Sequence, residues 1–113
     1  MTYRKTAMKL WLDDERPEPL GWCRAYTASE AVELLSTEKV TEISLDHDLG
    51  DKGIPEQTGY TVLQWIEKEV FENCFVPPKI HIHTANSSAR DKMLMAVWVI
   101  ERQHRINQGI EFQ

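Results

Sequence analysis

Short apolar runs alternate with amphipathic stretches along most of the chain. Lys9–Leu12, Trp22–Tyr26, Glu42–Leu45 and Lys79–His83 read as strands. Thr27-Ala28-Ser29-Glu30 matches a capping box, with Thr27 as N-cap. Ala28, Ala31, Val32, Leu34 and Leu35 then follow helical spacing, so a helix is expected to about Ser36. Tyr60, Val62, Leu63, Ile66 and Val70 predict a second helix starting near Thr58, and Pro77-Pro78 closes that connection. Ser88-Ala89-Arg90-Asp91 resembles a further capping box, with Asp in place of Glu or Gln. The long helix after it places Met93, Ala96, Val97 and Ile100 on one side. It is expected to end near Asn107 or Gly109, which tolerate a left-handed residue, and Ile110–Phe112 is expected to form a short last strand.

Strand–helix alternation predicts an α/β fold with right-handed crossovers, a small three-layer sandwich around a mostly parallel sheet. One connection breaks the pattern. Between Asp13 and Gly21 the chain is too short and too rich in proline for a crossover helix, which needs roughly a dozen residues. The first helix is therefore expected to be missing or replaced by a loop carrying Arg16. Residues 1–113 form one domain on this reading, with 1–7 a loose extension. Gly50-Asp51-Lys52-Gly53-Ile54-Pro55 is the most loop-like stretch and is expected to act as a flap.

Composition narrows the function classes. Apolar residues make up 42% of the 113, which suits a packed core rather than a disordered tail. The net charge of −5 argues against an extended nucleic-acid groove, though not against a nucleotide or a single strand end. Cys23 and Cys74 have no metal-ligand spacing and are expected to be free thiols in a reducing compartment. No run approaches membrane-spanning length, and the basic start lacks a signal-peptide core, so no membrane partner and a cytoplasmic location are expected.

The chemistry lies at the strand ends. Asp13-Asp14-Glu15-Arg16 follows the first strand, Asp46-His47-Asp48 the third and His83-Thr84-Ala85-Asn86 the fourth. In an open parallel sheet these carboxyl ends share one edge, where ligands bind. Asp13, Asp14 and Asp46 are candidate ligands for a hard cation, Mg²⁺ or Mn²⁺, which takes carboxylate oxygens and keeps several waters. A solvated acidic turn is the plain alternative for the first cluster alone. His47 beside Asp48 suits general acid–base work near neutral pH, or simple packing in a turn. His81 and His83 face one side of their strand; His83 is nearer the edge and is the better catalytic candidate, while His81 is expected to be a satisfied interior histidine. Arg16, Thr84 and Asn86 are candidate phosphate binders, helped by backbone N–H groups at the helix start near Ser87. Arg16 paired with Asp14 or Glu18, and N-capping by Ser87 or Ser88, are the structural alternatives. Trp22 and Trp65 are read as core aromatics, with flanking of a base as the second reading.

The set Leu-Trp-Leu-Asp-Asp-Glu-Arg-Pro, Ile-Ser-Leu-Asp-His-Asp-Leu-Gly, Thr-Gly-Tyr and Ile-His-Thr-Ala-Asn resembles the cyclic-phosphate processing receiver-like family, from about Met8 to Met95. The resemblance implies a receiver-like, flavodoxin-type sheet and a role in processing cyclic phosphates at RNA ends or in nucleotides. Beside ordinary response-regulator receivers, Asp13-Asp14 looks like their acidic metal pair, Asp46 like their phosphoacceptor and Thr84 like their switch hydroxyl. No lysine follows a clear fifth strand, and histidines stand where receivers have none. These departures favour a hydrolytic or ligand-binding site over phosphorelay.

The expectation is thus a metal-dependent phosphoesterase-like domain. Its partner would be a small phosphorylated ligand such as a cyclic nucleotide or an RNA terminal phosphate. A non-catalytic phospholigand-binding module is the alternative, and a receiver phosphorylated on Asp46 is the third. The sequence does not fix the oligomeric state.

Overall fold

The computed structural model describes residues 7–49 and 57–112. The expected flap at 50–55 lies outside these residues, as does the expected N-terminal extension apart from the exposed Ala7. The elements run β1 (Met8–Leu12), β2 (Cys23–Ala25), α1 (Ala28–Leu35), β3 (Val40–Leu45), α2 (Gly59–Asn73), β4 (Lys79–Ile82) and α3 (Ser87–Asn107). The strands form one sheet in the order β2-β1-β3-β4, and all three pairings are parallel. The receiver-like α/β sheet expected from the sequence is present.

Capping residues fix where the helices start. Thr27 accepts the Glu30 N–H and opens α1. The Thr58 hydroxyl oxygen accepts the Tyr60 N–H, and the Thr61 hydroxyl oxygen in turn accepts the Thr58 N–H at 3.0 Å. The N-cap of α3 is Asn86 rather than Ser87 or Ser88; its side chain accepts the Ala89 N–H at 3.1 Å, so the helix begins two residues earlier than the Ser88–Asp91 pattern suggested. α3 ends at Asn107, with Gly109 in the left-handed region. No strand forms at Ile110–Phe112. There the Ile110 N–H turns back to the Arg105 carbonyl, and Glu111 is held by Arg102 and Arg105.

The alternation of strand side chains decides the layers. Leu10, Leu12, Ile43 and Leu45 are fully buried and share one core with Ala31 and Leu35 of α1, Leu63 and Ile66 of α2, and Met93 and Ile100 of α3. The three helices pack in sequence, α1 on α2 and α2 on α3. They form one layer on one face of the sheet, so the described residues make two layers rather than three. The cause is the loop between β1 and β2. That connection runs opposite in direction to β2→β3→β4 across the sheet, so its right-handed crossover would have covered the other face. With a loop in its place, no helix among the described residues covers the other face, which carries Lys9 and Trp11 of β1, Glu42 and Ser44 of β3, and His81 of β4.

Candidate functional site at the carboxyl edge of the sheet

Each strand end delivers its polar residue through a continued ladder. The Asp13 N–H bonds the Ala25 carbonyl, the Asp46 N–H bonds the Leu12 carbonyl, and the His83 N–H bonds the Leu45 carbonyl. Backbone pairing thus sets Asp13, Asp46 and His83 side by side before any side-chain contact is made.

Asp13 is the hub, and it is fully buried. Its Oδ1 accepts the backbone N–H groups of Glu15 at 2.8 Å and Arg16 at 2.9 Å. Its Oδ2 faces His83 Nε2 at 3.1 Å and Arg16 Nε at 3.6 Å. Burial alone would push this carboxyl up, but the two backbone donors and His83 outweigh it and hold it below the ordinary carboxylate value. Asp46 is buried, and its Oδ1 accepts the His47 N–H at 2.8 Å. Asp14 is half-buried. One oxygen from each of Asp13, Asp14 and Asp46 lies within 4.8 Å of the others. The three predicted carboxylates do meet.

His83 is committed at both ring nitrogens. Nδ1 meets the Ser44 hydroxyl at 2.7 Å, and Nε2 meets Asp13. Its ring lies flat on Trp11, with centroids 3.8 Å apart and planes 4° from parallel. Desolvation lowers its pKa, and the pull of Asp13 in the opposite direction does not restore it. A neutral ring then donates Nε2–H to the ionised Asp13 and accepts from Ser44 at Nδ1. This geometry orients Asp13, and it leaves neither nitrogen free for proton exchange with a ligand. His47 differs: Nδ1 meets Asp48 Oδ1 at 2.7 Å, and among the described residues Nε2 has no protein partner.

Arg16 pairs with neither Asp14 nor Glu18. Its Nη1 donates to the His83 carbonyl at 2.8 Å, so it straps the β1 end to the β4 end. Trp11 Nε1 donates to the Arg16 carbonyl at 3.0 Å and pins the same loop. Thr84 is buried, and its hydroxyl oxygen accepts the Asn86 N–H at 3.2 Å. Asn86 Oδ1 is used in capping α3, which leaves its amide Nδ2 for any ligand.

Sequence reasoning did not assign three residues that build this site. Ser44 was read only as a strand position; its period-two register with Trp11 and His81 was the available signal. Trp11 was not recognised as the surface on which His83 stacks. Gly59 lets α2 start against the Asp46 carbonyl: an added Cβ would overlap that oxygen and sit 2.9 Å from its carbon. His81 is not interior. It bonds Glu42 at 2.7 Å, but its side chain is 41% exposed, because it lies on the face without a helix. Trp65 does pack with the core, against Phe75.

Residues 8–98 match the model of the cyclic-phosphate processing receiver domain, which is most of the chain. The chain belongs to that family. No curated protein and no solved structure matches it. Among the described residues, no helix is long and apolar enough to cross a membrane.

Proposed function

For this member of the cyclic-phosphate processing receiver family, we propose a metal-dependent phosphoesterase that opens a cyclic phosphate, or removes a terminal one, on a nucleotide or RNA end. One observation carries the reading: three carboxylate oxygens from two strand ends meet within 4.8 Å. Anions so close repel one another unless a cation or protons stand between them. An all-oxygen donor set fits Mg²⁺ or Mn²⁺ rather than a soft metal. Asp13, Asp14 and Asp46 would hold the ion. Asp46 is the freer donor of the two buried carboxylates, because Asp13 already accepts at both oxygens. When bound, such an ion polarises a phosphoryl oxygen and acidifies water.

The chain's own residues supply the rest. Arg16 has partners at Nε and Nη1, so Nη2 remains for a phosphate oxygen. The Thr84 hydroxyl proton, the Asn86 amide and the first N–H groups of α3 stand at the end of β4 as further donors. Asp48 fixes the His47 tautomer with the proton on Nδ1, so Nε2 is presented as a base. Water adds to phosphorus as the ring P–O bond breaks; His47 takes the water proton and returns it to the leaving oxygen. His83 is a positioning residue that holds Asp13.

The test is ³¹P NMR of a nucleoside 2′,3′-cyclic phosphate with Mg²⁺. Conversion to the monoester is expected in wild type. His47→Gln should slow it about 10²- to 10⁴-fold with cation affinity unchanged. Binding without conversion would reduce the protein to a phospholigand-binding module, and full activity in His47→Gln would remove its assigned role.

A further inference from the structure

The face of the sheet that carries no helix among the described residues is neither apolar nor featureless. By strand register it carries Trp11 beside Ser44 and His81, and Lys9 beside Glu42 and Lys79. Trp22, from the loop that replaces the crossover helix, folds onto this face. Its ring meets Trp11 edge-on at 6.1 Å and His81 at 6.5 Å. Neither Trp22 nor His81 is buried, whereas a core aromatic would be. Glu42 takes the His81 ring at 2.7 Å and Lys9 at 4.0 Å, which fixes the imidazole in place. Lys9 and Lys79 are exposed on either side of that single carboxylate, so the strands leave a local positive surplus on a chain of net charge −5.

The aromatic face runs directly into the strand-edge site. Trp11 stacks on His83, and His83 holds Asp13. His81 lies two residues before His83, about 6–7 Å back along the strand, roughly the span of one nucleoside. A ligand with its phosphate at the edge would therefore bring its attached base against Trp22 and His81, whose ring planes are 65° apart. Aromatic platforms with flanking lysines are how sheets bind unpaired bases.

We infer that this face is a base-stacking platform, and that the ligand of the edge site is a nucleotide at the end of a single strand rather than a base-free phosphate. The base stacks on Trp22 and meets the His81 ring edge-to-face, since the two rings stand 65° apart, and Lys9 and Lys79 meet the backbone phosphates that lead away from the site. The inference rests on the phosphate reading for the ligand's orientation, while the stacking face can be tested without it.

Two probes separate the claims. The first pair is a nucleoside 2′,3′-cyclic phosphate and glycerol 1,2-cyclic phosphate, which carries the same ring without a base. Their affinities are measured by calorimetry on wild type, Trp22→Ala and His81→Ala. The base should improve affinity about 5- to 100-fold in wild type, and each variant should lose most of that gain without changing the affinity of the base-free ring. The second probe is a short single-stranded RNA without terminal phosphates, followed by fluorescence anisotropy in EDTA. Its binding should weaken in Trp22→Ala, in His81→Ala and in Lys9→Gln/Lys79→Gln. Circular dichroism confirms that each variant folds. Equal affinity for the two cyclic phosphates, or RNA binding indifferent to Trp22 and His81, would overturn the platform. RNA binding that depends on Trp22, with neither cyclic phosphate bound, would keep the platform and remove the phosphate reading. No binding of any probe would remove both.

Discussion

Replacing Gly59 with alanine tests how the site is assembled. Gly59 is the first residue of α2, and its N–H bonds the His47 carbonyl at 3.1 Å. On helix propensity alone, Gly→Ala should stabilise by about 1 kcal/mol. Here the new methyl would overlap the Asp46 carbonyl oxygen, lie 2.9 Å from its carbon and 3.0 Å from Met93 Cε. The Met93 tip can swing aside; the Asp46 backbone cannot, because its N–H is tied to Leu12. The start of α2 must therefore retreat by more than an ångström, with strain of the order of overpacking, about 1–3 kcal/mol. Losing the Gly59–His47 hydrogen bond adds about 1 kcal/mol. The net expectation is destabilisation of about 1–3 kcal/mol in urea unfolding, or a fall in Tm of about 5–15 °C for a chain of this length. Divalent-cation affinity should fall as well, because Asp46 is displaced. A Gly59→Ala protein as stable as wild type, with unchanged cation binding, would refute the reasoning.

Other consequences follow from single contacts. Asn86→Ala should cost about 0.5–2 kcal/mol through loss of the α3 cap, whereas Asn86→Ser should recover most of it; equal loss in both would point away from capping. Ser44→Ala leaves the half-buried His83 Nδ1 without its partner and should cost about 1–3 kcal/mol in urea unfolding, and a neutral result would mean that Ser44 does not orient the ring. The hydrogen bond from His81 is the main cause holding the Glu42 carboxyl below its ordinary value. A depressed carboxylate contributes stability that is present above its unfolded pKa and is lost as pH falls through the lower folded one. His81→Ala should therefore move the Glu42 titration upward in ¹³C NMR, and an unmoved titration would show that the pair is not formed in solution.

The sequence made the strands, the helix starts at Thr27 and Thr58, and the missing crossover legible, because each depends on local signals. It also placed Asp13, Asp14 and Asp46 together, since parallel pairing puts all strand carboxyl ends on one edge. The α3 cap was misplaced because Asn86, Ser87 and Ser88 are all competent caps, and only the path from β4 selects among them. His83 was expected to exchange protons; its two ring partners, Ser44 and Asp13, come from strands 39 and 70 residues away in sequence, and no local pattern reports them. His81 was placed inside because alternation shows which side a residue faces, not whether a helix covers that side. The short loop before Trp22 held that information, since the helix it replaces would have packed there. Residues 50–55, the expected flap, lie outside the described chain.

The most direct test of the central claim is a Mg²⁺ and Mn²⁺ titration by calorimetry on wild type and Asp46→Asn. The amide preserves the size of Asp46 and can still accept the His47 N–H, so the variant removes a charge and a ligand oxygen without opening a cavity. The account predicts one saturable site in wild type, weakened at least tenfold in Asp46→Asn, with unfolding in urea little changed. Absence of a saturable site in wild type, or equal affinity in the folded variant, would contradict it.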